Sequence, residues 1–372
     1  MKTNSVLAWI LAARPKTLTG AIAPVLVGGA MAFSLSCQHI ISKNIDMYGR
    51  LNLSDTFLQT RLVSVLVPFV LCLLFAVLMQ IDANFINDYF DFRKGTDRED
   101  RLGPERACAQ GWITPRAMQW GIAVMTLLSC GVGLLLLLWH LQWELLLVGI
   151  LCVLFCFLYT TRLSYLGWGD LLVFIFFGVV PVVFTAYVML GCNPTSFMES
   201  GLMGASLVVA GLAMGLATDN LLMVNNYRDR HQDLISGKRT LIVRIIEAQK
   251  HKFGSAMGQR RGERISLNLY LWLGIIAFFL AFFALSLFPL SNLLPSARAL
   301  ASAAPDMETF SFSFFRSLPL MLIYLILHIR AFFQMRTLDG RALNSVLGAT
   351  ARNIFLFGLL LAVSVFLSSS SQ

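Results

Sequence analysis

Charged residues are scarce in this sequence of 372 residues. Only 13% are Asp, Glu, Lys or Arg, whereas 57% are hydrophobic. Soluble domains carry about 25% charged residues, so this chain has too little charge to cover an ordinary soluble surface. Apolar runs long enough to cross a bilayer recur along it. The composition therefore indicates an all-α, polytopic membrane protein.

Closely spaced cysteine pairs are also missing. The 7 cysteines are scattered, and none belongs to a Cys-x-x-Cys pair. Cys152 and Cys156 share one face of a predicted helix, and this spacing indicates packing rather than redox or metal chemistry. The sequence gives no reason to expect thiol chemistry.

Nine apolar segments are predicted to cross the membrane, within one membrane-embedded domain over residues 1–372. They cover residues 18–36, 62–90, 119–138, 144–161, 169–190, 201–226, 266–290, 316–334 and 352–368. No cleavage site of small residues follows the first segment, so we expect it to remain in the protein. Gly178 and Pro181 are expected to loosen or kink the fifth segment. The basic, glycine-containing stretch 249–264 is predicted to be a mobile cytoplasmic loop.

The basic residues are distributed unevenly between the two sides of the membrane. Most of the 29 Lys and Arg residues fall on the side that holds the N-terminus, the 91–118 loop and the 227–265 loop. The positive-inside rule predicts that this side is cytoplasmic, in a multi-pass protein of the plasma (inner) membrane. The net charge of +9 therefore needs no nucleic-acid partner to explain it.

One short motif occurs twice, each time where an apolar segment ends. Asn87-Asp88-Tyr89-Phe90-Asp91 closes the second segment, and Asn225-Asn226-Tyr227-Arg228-Asp229 closes the sixth. Both motifs run on into basic residues and a further carboxylate, so the chain is interpreted as two pseudo-repeated halves with motifs near 84–97 and 225–240. Two such clusters at matching helix ends predict one site built from both halves.

The polar residues of each motif are spaced to share one helix face. They are Asn84, Asn87, Asp88 and Asp91 in the first motif, and Asn226, Asp229 and Asp233 in the second. A polar stripe on a membrane helix must face the bundle interior or a wet cavity. An ordinary helix end in the cytosol is the alternative. Asp82 and Asn84 argue against it, because they lie deeper in the apolar run, where polar groups without partners are costly.

Carboxylates crowded on two helix ends repel one another unless cations join them. Mg²⁺ takes oxygen ligands and is usually shared with substrate phosphates. The nearby cationic residues are Lys94, Arg162, Lys238 and Arg239. The pattern indicates a diphosphate held through metal, whose departure is eased by neutralising its developing charge. An apolar chamber behind it would shield a carbocation, so the hypothesis is prenyl transfer.

Several motifs resemble one known family. They are Ala12–Leu18, Gln80–Phe85, Asn87–Gly95, Gly103–Arg106, Tyr165–Asp170, Val224–Asp233, Gly237–Leu241 and Leu343-Asn344. Through them the chain resembles the UbiA superfamily of intramembrane aromatic prenyltransferases nearly end to end. Within the superfamily it is most similar to the members that prenylate 1,4-dihydroxy-2-naphthoate.

This resemblance implies nine helices around a central cavity and magnesium-dependent ionisation of a polyprenyl diphosphate. It implies that 1,4-dihydroxy-2-naphthoate is prenylated with loss of CO2, giving demethylmenaquinone. Metal and diphosphate would be held by Asn87, Asp88, Asp91, Asp97, Asp229 and Asp233. Catalysis would involve Asp91, Asp229, Lys94 and Arg162, and substrate binding would involve Arg14, Asn84, Tyr159, Asn226, Lys238 and Arg239.

The chain departs from the superfamily pattern at two places. Gly95 stands where many members carry a carboxylate, which leaves Asp97 as a substitute, and the usual Tyr-x-x-Lys element is here Tyr159 to Arg162. Two alternatives stay open: another acceptor, such as 4-hydroxybenzoate or homogentisate, or a transporter. Repeats and intramembrane carboxylates also mark ion pathways, but carboxylates at helix ends beside cations favour the prenyltransferase.

Overall fold

The computed structural model describes residues 2–44, 55–95, 101–191, 202–292 and 307–369, and all regular structure in these ranges is helical. The α-helices are α1 Val6–Ala13, α2 Pro15–Asn44, α3 Asp55–Lys94, α4 Pro115–His140, α5 Trp143–Leu158, α6 Gly169–Phe174, α7 Val180–Leu190, α8 Leu202–Ile235, α9 Leu241–Phe253, α10 Ser255–Asn292, α11 Met307–Thr337 and α12 Leu343–Ser369. Two π-helical turns, Tyr159–Leu163 and Ile175–Val179, and a 3-10 turn, Gly340–Ala342, connect some of them.

Within the described ranges, nine helical segments are long and apolar enough to cross a membrane. They are Pro15–Cys37, Leu62–Lys94, Pro115–His140, Trp143–Leu163, Gly169–Leu190, Met203–Ile235, Ser255–Phe288, Arg316–Thr337 and Gly340–Ser368. Helices suit such segments because lipid offers no hydrogen-bond partner, so the backbone must bond to itself. The all-α fold class with nine spans is confirmed, and the chain is a multi-pass membrane protein.

The stretch 249–264 differs from its prediction as a loop. It belongs to α9 and α10, which form a hairpin broken only around Gly254. The glycines serve close packing here, because a Cβ on Gly262 would lie 2.6 Å from the Cα of Ile246. Ile246 itself is buried. The loop prediction was wrong, because the glycines and charged residues of this stretch belong to an amphipathic hairpin.

The fifth segment is interrupted, as predicted from Gly178 and Pro181. Between α6 and α7 the backbone widens into the π-helical turn Ile175–Val179, and Pro181 lies in the first turn of α7. Gly178 has no room for a side chain, since a Cβ there would overlap the backbone of Gly215 on α8. This interruption lets the fifth segment pack tightly against α8.

The largest hydrophobic core lies among α2, α7, α8, α10, α11 and α12. Met31, Val182, Met214, Phe278 and Phe357 are among its buried members. A second core joins the C-terminal half of α8 to α9, α10, α11 and α12. Packing along most of α8 therefore fixes the end of that helix which carries the second motif.

Candidate active site

A polar cavity lies where the C-terminal ends of α3 and α8 meet. Its lining includes seven of the residues singled out from the sequence, namely Asn87, Asp91, Tyr159, Asn226, Asp229, Asp233 and Lys238. The first motif reaches it from α3 and the second from α8. Both helices continue past their apolar runs, so the motifs lie on regular helix, as their spacing predicted. The two halves of the chain thus contribute to one cavity.

The polar stripe of α3 is divided between two neighbours. An α-helix turns about 100° per residue, so Asn87 and Asp88 point in different directions although they are adjacent. Asn87 and Asp91 line the cavity. Asp88 contacts the 101–114 segment instead, and its two carboxylate oxygens accept the backbone N–H groups of Ala107 and Cys108, each at 2.9 Å. The contacts of Asp88 are those of a residue that anchors a loop.

The same 101–114 segment supplies cations to the cavity. Arg106 donates to a carboxylate oxygen of Asp91 at 3.0 Å, and both side chains are 5% exposed. Arg101 also lines the cavity, and its Nε donates to the backbone oxygen of Pro104 at 3.1 Å. Burying an ion pair is costly unless both partners are well bonded. Asp88 and Asp91 together therefore hold this basic segment against α3.

Arg228 links the second motif to the rest of the site. Its side chain is buried and donates to both carboxylate oxygens of Asp229, at 2.8 and 2.6 Å. It also donates to the side-chain oxygens of Asn225, at 2.7 Å, and Asn344, at 2.8 Å. A Cβ on Gly103 would lie 2.6 Å from the guanidinium, so a side chain there would have to displace the buried Arg228. Arg228 thereby joins α8, α12 and the 101–114 segment.

Lys238 is the cation that follows the second motif. Burial disfavours its charge, but the carboxylates of Asp91, Asp233 and Asp229 outweigh burial and raise the pKa of the ammonium above its ordinary value. Its Nζ lies 5.4 Å from the ring centroid of Tyr165. The site therefore keeps a permanent positive charge next to three carboxylates.

The cavity lining also includes an aromatic residue and one further carboxylate. Tyr159 opens the π-helical turn after α5, and Asp170 lies in the first turn of α6. Both line the cavity. Asp170 thus adds a carboxylate to the cavity lining beyond those of the two motifs.

Three of the predicted cations lie outside the cavity lining. The Nζ of Lys94 donates to the backbone oxygens of Thr160 and Thr161, at 3.2 and 2.8 Å, and lies 3.9 Å from the ring centroid of Tyr165. The side chains of Arg162 and Arg239 are exposed. Lys94 therefore supports the turn that presents Tyr159, and the roles proposed for these cations in catalysis or binding stay predictions.

The remaining predicted residues lie near the junction of α1 and α2 or outside the described ranges. Asn84 donates to the backbone oxygen of Ala13 at 2.8 Å and to the hydroxyl of Thr17 at 3.0 Å. Arg14 is the residue at this junction, with φ of 51°. Neither lines the cavity. Asp97 lies outside the described residues.

Four charged residues at the site received no functional role from the sequence. They are Arg101, Arg106, Asp170 and Arg228. Arg106 and Asp170 stand in motifs that carry the family resemblance, and Arg228 stands inside the repeated motif itself. These motifs therefore pointed to the three residues. Only the folding of the 101–114 segment onto α3 and α8 shows which arginines contact which carboxylates.

Comparison with known proteins agrees with these features. The model of the UbiA prenyltransferase family matches residues 54–318, which is more than half of the chain. A 1,4-dihydroxy-2-naphthoate octaprenyltransferase of Mycobacterium tuberculosis is 34% identical over 246 residues, covering 65% of this chain and 70% of the relative. The Escherichia coli protein of the same name is 27% identical over 369 residues, covering 97% and 96%.

A solved structure described as a digeranylgeranylglyceryl phosphate synthase in membranes aligns with a TM-score of 0.43 and 18% identity, covering 94% of this chain and 99% of that one. The match to the family model and the 34% identical relative establish the family of this chain without that structure. The chain belongs to the UbiA prenyltransferase family and is a membrane-embedded prenyltransferase.

Proposed function

We propose that this prenyltransferase moves a polyprenyl group from polyprenyl diphosphate to 1,4-dihydroxy-2-naphthoate, with loss of diphosphate and CO2, in menaquinone biosynthesis. The observation that carries the proposal is the joining of both Asp-rich motifs at one cavity together with Arg101, Arg106 and Lys238. Oxygen ligands and cations in one cavity are what a diphosphate leaving group requires. Support for the naphthoate acceptor comes from the names of the relatives.

Magnesium is the metal that fits this set of donors. Among the described residues, no three His, Cys, Asp or Glu side chains form a group able to hold a metal by themselves. Mg²⁺ commonly needs only one or two carboxylates, because waters and substrate phosphates complete its shell. The lining oxygens of Asn87, Asp91, Asn226, Asp229 and Asp233 would hold it. Carboxylates that already bond an arginine keep lone pairs for a metal.

The protein's own residues would divide the work around the breaking bond. Bound magnesium would neutralise charge on the departing diphosphate. Lys238, Arg101 and Arg106 would bind the same phosphate oxygens through charge-assisted hydrogen bonds. Arg228 would fix the orientation of Asp229, because it bonds both carboxylate oxygens. The prenyl chain would extend into the apolar bundle, away from water.

An acceptor assay tests the proposal. Membranes containing the protein would receive labelled polyprenyl diphosphate and naphthoate carrying a second label in its carboxyl group. We expect a prenylated naphthohydroquinone, recovered as the quinone after oxidation in air, and an equal amount of labelled CO2, and neither product from matched Asp91→Asn membranes. Prenylated product formed with 4-hydroxybenzoate alone would reject the naphthoate acceptor but keep the reaction class. Prenylated naphthoate that retains its carboxyl label would reject the decarboxylation.

A further inference from the structure

A second polar groove lies between α11 and α12 and shares no lining residue with the active-site cavity. Arg330 and Gln334 line it from α11, and Gly348, Arg352 and Asn353 line it from α12. Both arginines have exposed side chains. In the described part of the chain neither forms an ion pair, whereas Arg106, Arg228 and Arg230 all do. Two unneutralised cations therefore border one groove.

The two arginines lie in the halves of their spans that are nearer the turn joining α11 to α12. Arg330 is in the second half of the span Arg316–Thr337, and Arg352 is in the first half of the span Gly340–Ser368. On α11, Ile323 and Ile326 precede Arg330 by seven and four residues, so they share its face. Both isoleucines are exposed, at 45% and 63%. An apolar surface that faces lipid thus continues from the cationic end of the groove.

The α12 side of the groove shows the same order. Leu359, Val363 and Phe366 are exposed and follow Arg352 by 7, 11 and 14 residues, again on one helix face. Each helix therefore presents an arginine on the side of the connecting turn and an apolar stripe further along the span. A phospholipid has this arrangement of charge over acyl chains. Basic grooves between membrane helices are known to bind anionic headgroups.

Asn353 and Gly348 add specific features to the wall of the groove. Asn353 is 3% exposed, and its amide nitrogen donates to the backbone oxygen of Leu327 at 3.1 Å. Its side-chain oxygen has no hydrogen-bond donor within the described residues. Such a buried acceptor calls for a donor, such as a hydroxyl group. A Cβ on Gly348 would meet no atom within 4 Å, so the groove has open space there.

We propose that the groove between α11 and α12 binds the headgroup of an anionic phospholipid. Arg330 and Arg352 bind the phosphate, Asn353 accepts from a headgroup hydroxyl, and the acyl chains lie along the exposed apolar stripes. A phosphate with hydroxyls attached matches both the cations and the unfilled acceptor. Phosphatidylglycerol has this chemistry, and phosphatidylcholine has no headgroup hydroxyl and no net charge.

Lipid binding to the purified full-length protein tests the proposal without an activity assay. The protein in neutral detergent would be titrated with phosphatidylglycerol, phosphatidylcholine or inorganic phosphate, and bound lipid would be counted by native mass spectrometry. We expect one phosphatidylglycerol to bind more tightly than phosphatidylcholine. The Arg330→Gln/Arg352→Gln protein should bind it about thirtyfold more weakly, given the contribution of each basic residue near an anionic surface.

Two further variants keep the test specific. Arg336→Gln removes a cation from the same helix outside the groove, and its binding should match the wild type. Gly348→Leu leaves every charge in place but fills the open space, and it should weaken binding as the double variant does. Equal binding by the wild type and the double variant would overturn the proposal. Equal loss in Arg336→Gln, or inorganic phosphate binding as tightly as the lipid, would overturn it too.

Discussion

Arg228 shows how single side chains organise the site. Its guanidinium bonds three side chains that belong to two different helices, and its side chain has no exposed surface. Arginine suits this position because its planar group presents several donors in fixed directions and stays charged when buried. A lysine would offer one point of charge and could not bond both oxygens of Asp229 in the same way.

Replacing Arg228 with methionine should destabilise the protein by about 3 kcal/mol, because Asp229 then keeps a poorly solvated charge without its partner. Thermal unfolding in detergent would measure the loss. Arg264→Met is the matched control, since Arg264 lies exposed on α10, and it should change stability by no more than about 0.5 kcal/mol. Equal unfolding temperatures for the two variants would contradict the role given to Arg228.

Asp88 provides a second prediction at the residue scale, because its carboxylate accepts hydrogen bonds from the backbone of the 101–114 segment and does not line the cavity. Asp88→Asn exchanges one acceptor oxygen for a donor that faces a backbone N–H. Two charge-assisted hydrogen bonds should weaken by about 2 kcal/mol or more in total. Amide hydrogen exchange at Ala107 and Cys108 should accelerate accordingly. Glu105→Gln, at an exposed position of the same segment, should leave their exchange unchanged, and similar acceleration in both variants would contradict the anchor.

At the scale of elements, α3 and α8 carry the two motifs because each helix continues beyond the end of its apolar run. α8 is held by close contact with the interrupted fifth segment. Gly178 of the fifth segment and Gly211 of α8 each lie against backbone atoms of the other element. Small residues therefore set the packing distance between the two elements. The position of the second motif therefore depends on glycines far from the cavity.

Gly178→Ala should destabilise the protein by about 1–3 kcal/mol, since the added methyl group overlaps backbone that cannot rotate away. Gly149→Ala is a matched control within α5, because nothing lies within 4 Å of a Cβ there. The control should keep or slightly raise stability through better helix propensity. Unfolding temperatures of the two proteins give the comparison, and an unaffected Gly178→Ala protein would contradict this view of the packing.

The sequence predicted these elements unevenly, for physical reasons. Helical spacing sufficed to place Asn226, Asp229 and Asp233 together, because residues on one face of a helix stay together in any fold. Spacing could not predict that Asn87 lines the cavity whereas Asp88 contacts the 101–114 segment, because these contacts depend on the neighbouring elements. The hairpin of α9 and α10 was missed, since Gly258 and Gly262 look like flexible positions until a facing helix is known. Tertiary contacts, not local spacing, assign those residues.

At the scale of the whole molecule, the nine spans within the described residues define two surfaces, and the charge distribution predicts which one is cytoplasmic. We expect a cysteine introduced at Glu247, which is exposed on α9, to react with an impermeant maleimide in inside-out vesicles but not in intact cells. A cysteine at Gln142, between α4 and α5, should show the reverse. Native cysteines would be replaced beforehand. The opposite labelling pattern would contradict the cytoplasmic placement of both motifs.

We propose that the two motifs form one magnesium-dependent site. This proposal is tested by the prenyl-transfer rates of Asp91→Asn, Asp229→Asn and the double variant, with magnesium and with EDTA, in membranes holding equal amounts of folded protein. Each single variant should lose about 10²-fold or more, and EDTA should abolish wild-type transfer. The double variant should be hardly slower than the slower single one, because residues acting as a unit are not additive. Losses that multiply in the double variant, or transfer that survives EDTA, would contradict one shared magnesium site.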